Sequence, residues 1–418
     1  MKDNSLHILV VIAFVLIALD SFMTYIGKQI TGTILPVNMI VPVLLAVLLA
    51  LKGKNYLLPE QKIIMWISIA ALGFSVGIIT IPNTGLGRLF EIISAIIAFI
   101  VGYMFSRWAK DEDQAAKPLL LIGLLYATVC IIAVSKILPQ YFPVIMKLWA
   151  HNGDLIERPE VTTDQNFQIF YLIPGMIVFA LPFQKIRFSL SVYIILGSLY
   201  ALAALQTRSG LLIAAGLIFL ATISPIWTKT LGKWKLYVIP ALGILIGIIL
   251  LPTILNMASG IIIRFTETDY STGLGRLHSF LYLFEKIYNP LWLLPQGNDE
   301  FKALTGNIPH ANPTALFLDG GILALVAWFA LVVTPLFKLS KLFLQSRLDN
   351  LSVMLFIGAI AVFLTQLSLN VPLMDQIWLW AGVTNGLLAR AHTSVSEPAE
   401  DKKDSIENID KRYPKLRR

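Results

Sequence analysis

Charge is what this chain has least of. Only 14% of its 418 residues are Asp, Glu, Lys or Arg, against about 25% in an ordinary soluble domain. That deficit excludes a surface that faces water throughout. Cysteine is nearly absent as well. The single one, Cys130, lies inside the apolar run LLYATVCIIAVSKIL, so no internal disulfide can form and no Cys/His grouping has zinc-ligand spacing. HExxH, paired-carboxylate and Walker-type strings are missing too. The first apolar run starts at Leu6 and leads into Asp20 without a clear small-residue cleavage site, and it reads as a retained first helix.

What is abundant is apolar: 56% of the residues are hydrophobic and the mean hydropathy is +0.74. The charges cluster between long apolar runs, which is the pattern of repeated membrane spans. The net charge of +8 sits mostly in short loops beside those runs, where membrane topology explains it better than nucleic-acid binding does. Runs of about 18–22 residues cross a hydrocarbon core about 30 Å thick at 1.5 Å per residue. Candidates are 6–25, 35–51, 63–81, 92–108, 118–137, 167–183, 188–205, 211–227, 236–254, 314–336, 351–369 and 372–388. Backbone groups in lipid must satisfy one another within the segment, so each run is expected as a helix. The expected fold is an all-α polytopic membrane protein with about twelve transmembrane helices.

Orientation follows from Lys and Arg, which collect on the cytoplasmic side. With the N-terminus inside and strict alternation, 23 of the 33 basic residues fall inside and ten outside. Both termini are therefore expected in the cytoplasm. Residues 1–390 make the transmembrane unit, and the polar tail 391–418 reads as disordered, with a basic end able to touch anionic lipid heads. Two long loops fall outside, at about 138–166 and 255–313, and long loops are commonly functional. The second contains RLHSFLYLFEKIYNPLWLL, whose apolar residues recur at helical spacing. It is expected as an amphipathic helix, either along the membrane surface or packed on the bundle.

Three outer residues could carry chemistry. Arg208 stands in a very short turn, ALAALQTRSGLLIAAGL. An arginine near membrane depth either snorkels to the head groups or grips an anion with its planar fork. Arg276 follows Gly273 and Gly275 in STGLGRLHSF, at a helix start where a phosphate could sit. The same letters, GLGRL, recur at 85–89, and the repetition is read as coincidence. His310, in GNIPHANPTALFLDGG, is either an ordinary loop residue or a group able to exchange a proton near neutral pH. Asn312 and Pro313 could cap the helix that follows. The outer acids, among them Asp154, Glu160, Glu267 and Asp299, are too scattered to form a metal site.

Taken together, these features resemble the O-antigen ligase and polymerase superfamily of bacterial envelope glycosyltransferases. Three patterns carry the resemblance, in order along most of the chain. The first is Gln206-Thr207-Arg208-Ser209 at an outer helix junction. The second runs from Arg276 through Asn289-Pro290-Leu291 to Gly297. The third runs from His310 to Gly320-Gly321 and Ile322; the family's asparagine directly follows its histidine, whereas Ala311 intervenes here before Asn312. The resemblance implies an inner-membrane enzyme with a periplasmic site and no cofactor or metal. The donor would be an undecaprenyl-diphosphate-linked glycan, transferred with inversion. A ligase acceptor would be lipid A–core; a polymerase acceptor would be another lipid-linked glycan. Arg208 and Arg276 would bind the diphosphate, His310 would act on the acceptor hydroxyl, and Asn312 would support it. The ligase is the favoured reading, and the polymerase and a lipid-glycan transporter are the alternatives. A transporter would place ionisable residues at the midplane of its spans, where Asp20 and Asp319 are the clearest acids.

Overall fold

A computed structural model describes residues 2–19, 59–81, 87–109, 111–150, 168–181, 185–204, 207–227, 273–288, 290, 293–305, 309, 311–367, 369 and 372–396. Among them there is helix and connecting chain, and no strand. The helices are α1 (Lys2–Ala18), α2 (Gln61–Thr80), α3 (Gly87–Trp108), α4 (Glu112–Ala150) and α5 (Gln168–Met176). They continue as α6 (Lys185–Ala204), α7 (Arg208–Trp227), α8 (Gly273–Ile287) and α9 (Asp299–Thr305). The last are α10 (Asn312–Trp328), α11 (Thr334–Leu344), α12 (Asn350–Gln366) and α13 (Asp375–Ser396). Within the described residues, four segments are long and apolar enough to cross a membrane: Gln61–Thr80, Gly87–Trp108, Glu112–Ile132 and Asn312–Leu344.

Helices stand on ten of the twelve apolar runs named above; the runs 35–51 and 236–254 lie outside the described residues. Several boundaries move. The outer loop expected from about residue 138 is helical to Ala150, because α4 is 39 residues long, about 58 Å at 1.5 Å per residue. Residues 151–167 lie outside the described residues, as does most of the first half of the loop 255–313. From Gly273 onward that loop holds two helices, α8 and α9, where one was expected. The tail's first six residues, 391–396, continue α13, and the remainder lies outside the described residues.

Helix α3 organises the bundle, with α13 lying along it almost backbone to backbone. A Cβ at Gly102 would overlap the carbonyl oxygen of Leu379, and one at Gly382 would overlap that of Phe99. Small residues permit such an approach, and in lipid, where burial adds little between helices, close van der Waals contact is a main source of association. Phe99, Met104 and Phe105 of α3 are fully buried in the same core.

Polar groups separate to the two ends of α3. At its C-terminal end, Arg390 donates to the Ala109 carbonyl and pairs with Asp349 at 2.9 Å. Nearby in sequence, Arg187 is buried against Asp113, and Asn350 donates to Glu112 at 2.7 Å. At the N-terminal end of α3, Arg88 pairs with Asp319 and the Ser94 hydroxyl donates to Asp375 at 2.8 Å. The chain segments that alternation assigns to one side of a membrane thus meet at one end of this helix, and those assigned to the other side meet at the opposite end.

Candidate functional site

The element that shapes the Arg88 end is a broken helix. Helix α10 is interrupted at Gly321, whose φ of 65° and ψ of −164° are non-helical. A break frees carbonyls before it and N–H groups after it, and such groups are costly to bury unpaired. The non-helical segment 293–297 supplies the partners. Gln296 and Gly297 donate their backbone N–H groups to the Leu318 carbonyl at 3.0 and 2.9 Å, and Ile322 N–H donates to the Leu293 carbonyl at 2.9 Å. Only glycine fits at the break: a Cβ on Gly321 would stand 2.6 Å from the Leu293 oxygen, and that backbone region is almost closed to other residues.

The break folds α10 back on itself. Gln366, the last residue of α12, accepts from Asn312 Nδ2 at 3.3 Å and from Trp328 Nε1 at 2.8 Å, both on its Oε1. A straight helix would hold residues 312 and 328 about 24 Å apart, so a sharp bend is required to bring their side chains to one oxygen. The first arm, Asn312 to Gly321, is buried throughout. Non-helical backbone at membrane depth is tolerated where protein covers it, and here α2 does so. A Cβ at Gly73 would meet the Gly320 carbonyl oxygen at 2.5 Å, and one at Gly77 would overlap that of Asp319.

Helix α8 closes the other flank of the arm. The Thr314 hydroxyl donates to the Ser279 carbonyl at 2.8 Å, and Tyr282, Phe301 and Leu318 pack into a small core, with the Tyr282 and Phe301 rings edge to face at 5.1 Å. Arg276 and Ser279 lie within one turn of α8, about 5 Å of rise, and position 310 precedes Thr314 by four residues. The second and third sequence patterns therefore interlock twice, through Ser279 and Thr314 and through Gly297 and Leu318.

The four residues singled out by sequence are placed unequally. Asn312 is buried, but it does not cap the helix: the cap position belongs to Ala311, with no side-chain capping bond. Its amide is held instead by Gln366. Arg276 lies in the first turn of α8 and Arg208 is the first residue of α7; for both, the structure describes the backbone position. Before Arg208, Thr207 is buried and locks its hydroxyl to the Leu202 carbonyl at 3.0 Å. Helix α7 packs against α5 and α12. His310 lies outside the described residues, between Pro309 and Ala311, which are both buried.

Sequence reasoning missed the Arg88–Asp319 pair. Arg88 also contacts Glu91 at 3.0 Å, and the side chain of Asp319 is 10% exposed against 28% for Arg88. The signal was present: a basic residue on the side where few are kept, and a lone acid within an apolar run, each lacked a partner. The pair fastens the arm of α10 to the first turn of α3. Replacing Asp319 with leucine should cost about 1–3 kcal/mol, because it removes a buried charge-assisted hydrogen bond and leaves the Arg88 guanidinium to the exposed Glu91 carboxylate. Adding Arg88→Met should restore most of that, since an apolar pair can replace a buried ion pair at little cost. Apparent melting temperatures of the two single variants and the double one check this; losses that simply add would remove the pairing.

No family model, curated protein or solved structure matches this chain. The fold and the junction define a class: an all-helical membrane protein with a helix broken and re-entrant at one end of its bundle.

Proposed function

We propose that this chain is a membrane glycosyltransferase of the O-antigen ligase type. It would transfer a glycan from undecaprenyl diphosphate to lipid A–core in lipopolysaccharide assembly. In this reading about twelve helices span the inner membrane, both termini are cytoplasmic and the site is periplasmic. The observation that carries the reading is the interlock of α8 with the arm of α10, since it joins the two longest of the three patterns into one unit. Arg276 and the His310 segment both belong to that unit.

The chemistry balances without a cofactor or metal. The acceptor hydroxyl oxygen attacks the anomeric carbon from the face opposite the diphosphate, a C–O bond forms, and the bond to the diphosphate oxygen breaks with inversion. Negative charge grows on the leaving diphosphate, and Arg208 and Arg276 are suited to stabilise it with bidentate, charge-assisted hydrogen bonds. His310 takes the hydroxyl proton, and Asn312, fixed by Gln366, holds the start of the helix that follows it.

A second reading, a lipid-glycan transporter, is favoured by the broken helix, since discontinuous helices build many transport sites. Against it, Asp319 is paired with the first turn of α3, at a helix end and not at a midplane. Reconstitution of the full chain in vesicles with an undecaprenyl-diphosphate glycan, with and without lipid A–core, separates the readings. The expected result is glycan attached to lipid A–core. Chain growth from donor alone would replace the ligase with a polymerase, and transbilayer movement without transfer would replace both with a transporter.

A further inference from the structure

Helix α8 has two apolar faces, and the protein uses one of them. Ser279, Tyr282 and Leu283 are buried, Ser279 and Tyr282 against the arm of α10 and α9. On the opposite side, Leu277, Leu281, Phe284 and Tyr288 are 53, 52, 61 and 85% exposed. At 3.6 residues per turn these four project within a stripe about 60° wide. A contiguous apolar stripe of this kind marks an interaction surface and not ordinary scattered exposure.

The depth of the stripe points to its occupant. Helix α2 is 20 residues long, about 30 Å, which equals the thickness of the hydrocarbon layer. A span of that length places its last residue, Thr80, at one face of the layer. The Thr80 hydroxyl donates to the Pro295 carbonyl at 3.3 Å, so the segment joining α8 to α9 is fastened at that boundary. Apolar side chains are exposed there too: Ile79 on α2 is 84% exposed and Leu294 on the segment 57%. A tyrosine at the end of the stripe is also the residue type that collects at head-group level.

We propose that α8 docks on the bilayer itself, with Leu277, Leu281, Phe284 and Tyr288 inserted at the hydrocarbon edge of the adjacent leaflet. The helix is then clamped between lipid on one face and the re-entrant arm on the other. Its N-terminal turn, with Arg276, is held at head-group depth, where it meets the polar part of a lipid-borne ligand and not a solute from bulk water. This surface does not depend on the glycosyltransferase reading, since a transporter of amphiphiles would need the same placement.

Spin labels on single cysteines test it in the full chain, reconstituted in vesicles of phosphatidylethanolamine and phosphatidylglycerol. Cys130 is buried, so the unsubstituted chain should take up no label. Leu281→Cys and Phe284→Cys report the stripe, and Glu285→Cys, exposed on the flank, reports water. Labels at 281 and 284 should collide with oxygen several-fold more, relative to a water-soluble nickel chelate, than the label at 285. Nickel accessibility at 281 equal to that at 285 would overturn the proposal. So would shielding of the labels at 281 and 284 from both reagents with dipolar broadening between labels, which would put a second copy of the chain on the stripe.

Discussion

Replacing His310 with alanine should abolish glycan transfer while leaving the chain inserted and its melting behaviour unchanged. A general base contributes about 10²–10⁴-fold to a proton-transfer step, so the loss should appear in the turnover rate at saturating donor, not in donor affinity. The neighbours separate a purely structural loss from the effect to be read. Pro309 and Ala311 are buried and Asn312 is tied to Gln366, so the backbone around position 310 has anchors of its own. Single-turnover assays with reconstituted protein, paired with apparent melting temperatures, check the prediction. Full activity of His310→Ala would remove the residue from the base role. Lost activity accompanied by a lowered melting temperature would place it in the scaffold instead. On the proposed reading Arg276→Ala should behave differently from His310→Ala, weakening donor binding as well as turnover, because a diphosphate is charged before the reaction and more so during it.

Much of the architecture was legible because lipid leaves the backbone few choices. Among the described residues, apolar runs of spanning length are helices, and the amphipathic string beginning at Arg276 is helical as far as Ile287, in α8. What the sequence concealed has a common physical cause: apolar composition does not say where a helix stops. Nothing in 138–150 distinguishes the long extension of α4 from a loop. The run at 314–336 was read as one span, yet its first arm bends at Gly321 because an outside segment, 293–297, pairs with the freed backbone groups. A tertiary partner of this kind is invisible to periodicity. Asn312 illustrates the same point from the other direction. Its type and position fit a helix cap, but a glutamine 54 residues away in sequence claims its amide. At the Arg88 end, two charges that looked misplaced one at a time explain each other as a pair.

Gly321 is where that hidden partner can be tested most severely. Alanine there should destabilise the protein by about 3–5 kcal/mol: the ε-type backbone conformation costs about 1–3 kcal/mol for a side-chain-bearing residue, and each hydrogen bond left unmade in the interior adds about 1–3 kcal/mol. The added Cβ has nowhere to go, with the Leu293 oxygen at 2.6 Å and Pro295 Cδ at 3.0 Å. Relief requires segment 293–297 to withdraw, which would strip the partners from the Leu318 carbonyl and from the Ile322 N–H. Hydrogen exchange should therefore rise at Gln296, Gly297 and Ile322 while staying low along α3 and α13, whose close packing does not involve the break. The same substitution at Gly216 is the control. It lies inside α7 with nothing within 4 Å of its would-be Cβ, so alanine there should stabilise slightly, by up to about 1 kcal/mol. Equal melting temperatures for Gly321→Ala and the parent chain, with unchanged exchange at 296 and 297, would mean that the arm does not depend on that segment. Loss of glycan transfer in Gly321→Ala with the α3–α13 pair still protected would tie activity to the re-entrant arm, because the rest of the bundle would then be intact and only the mount for Arg276 and position 310 would have moved.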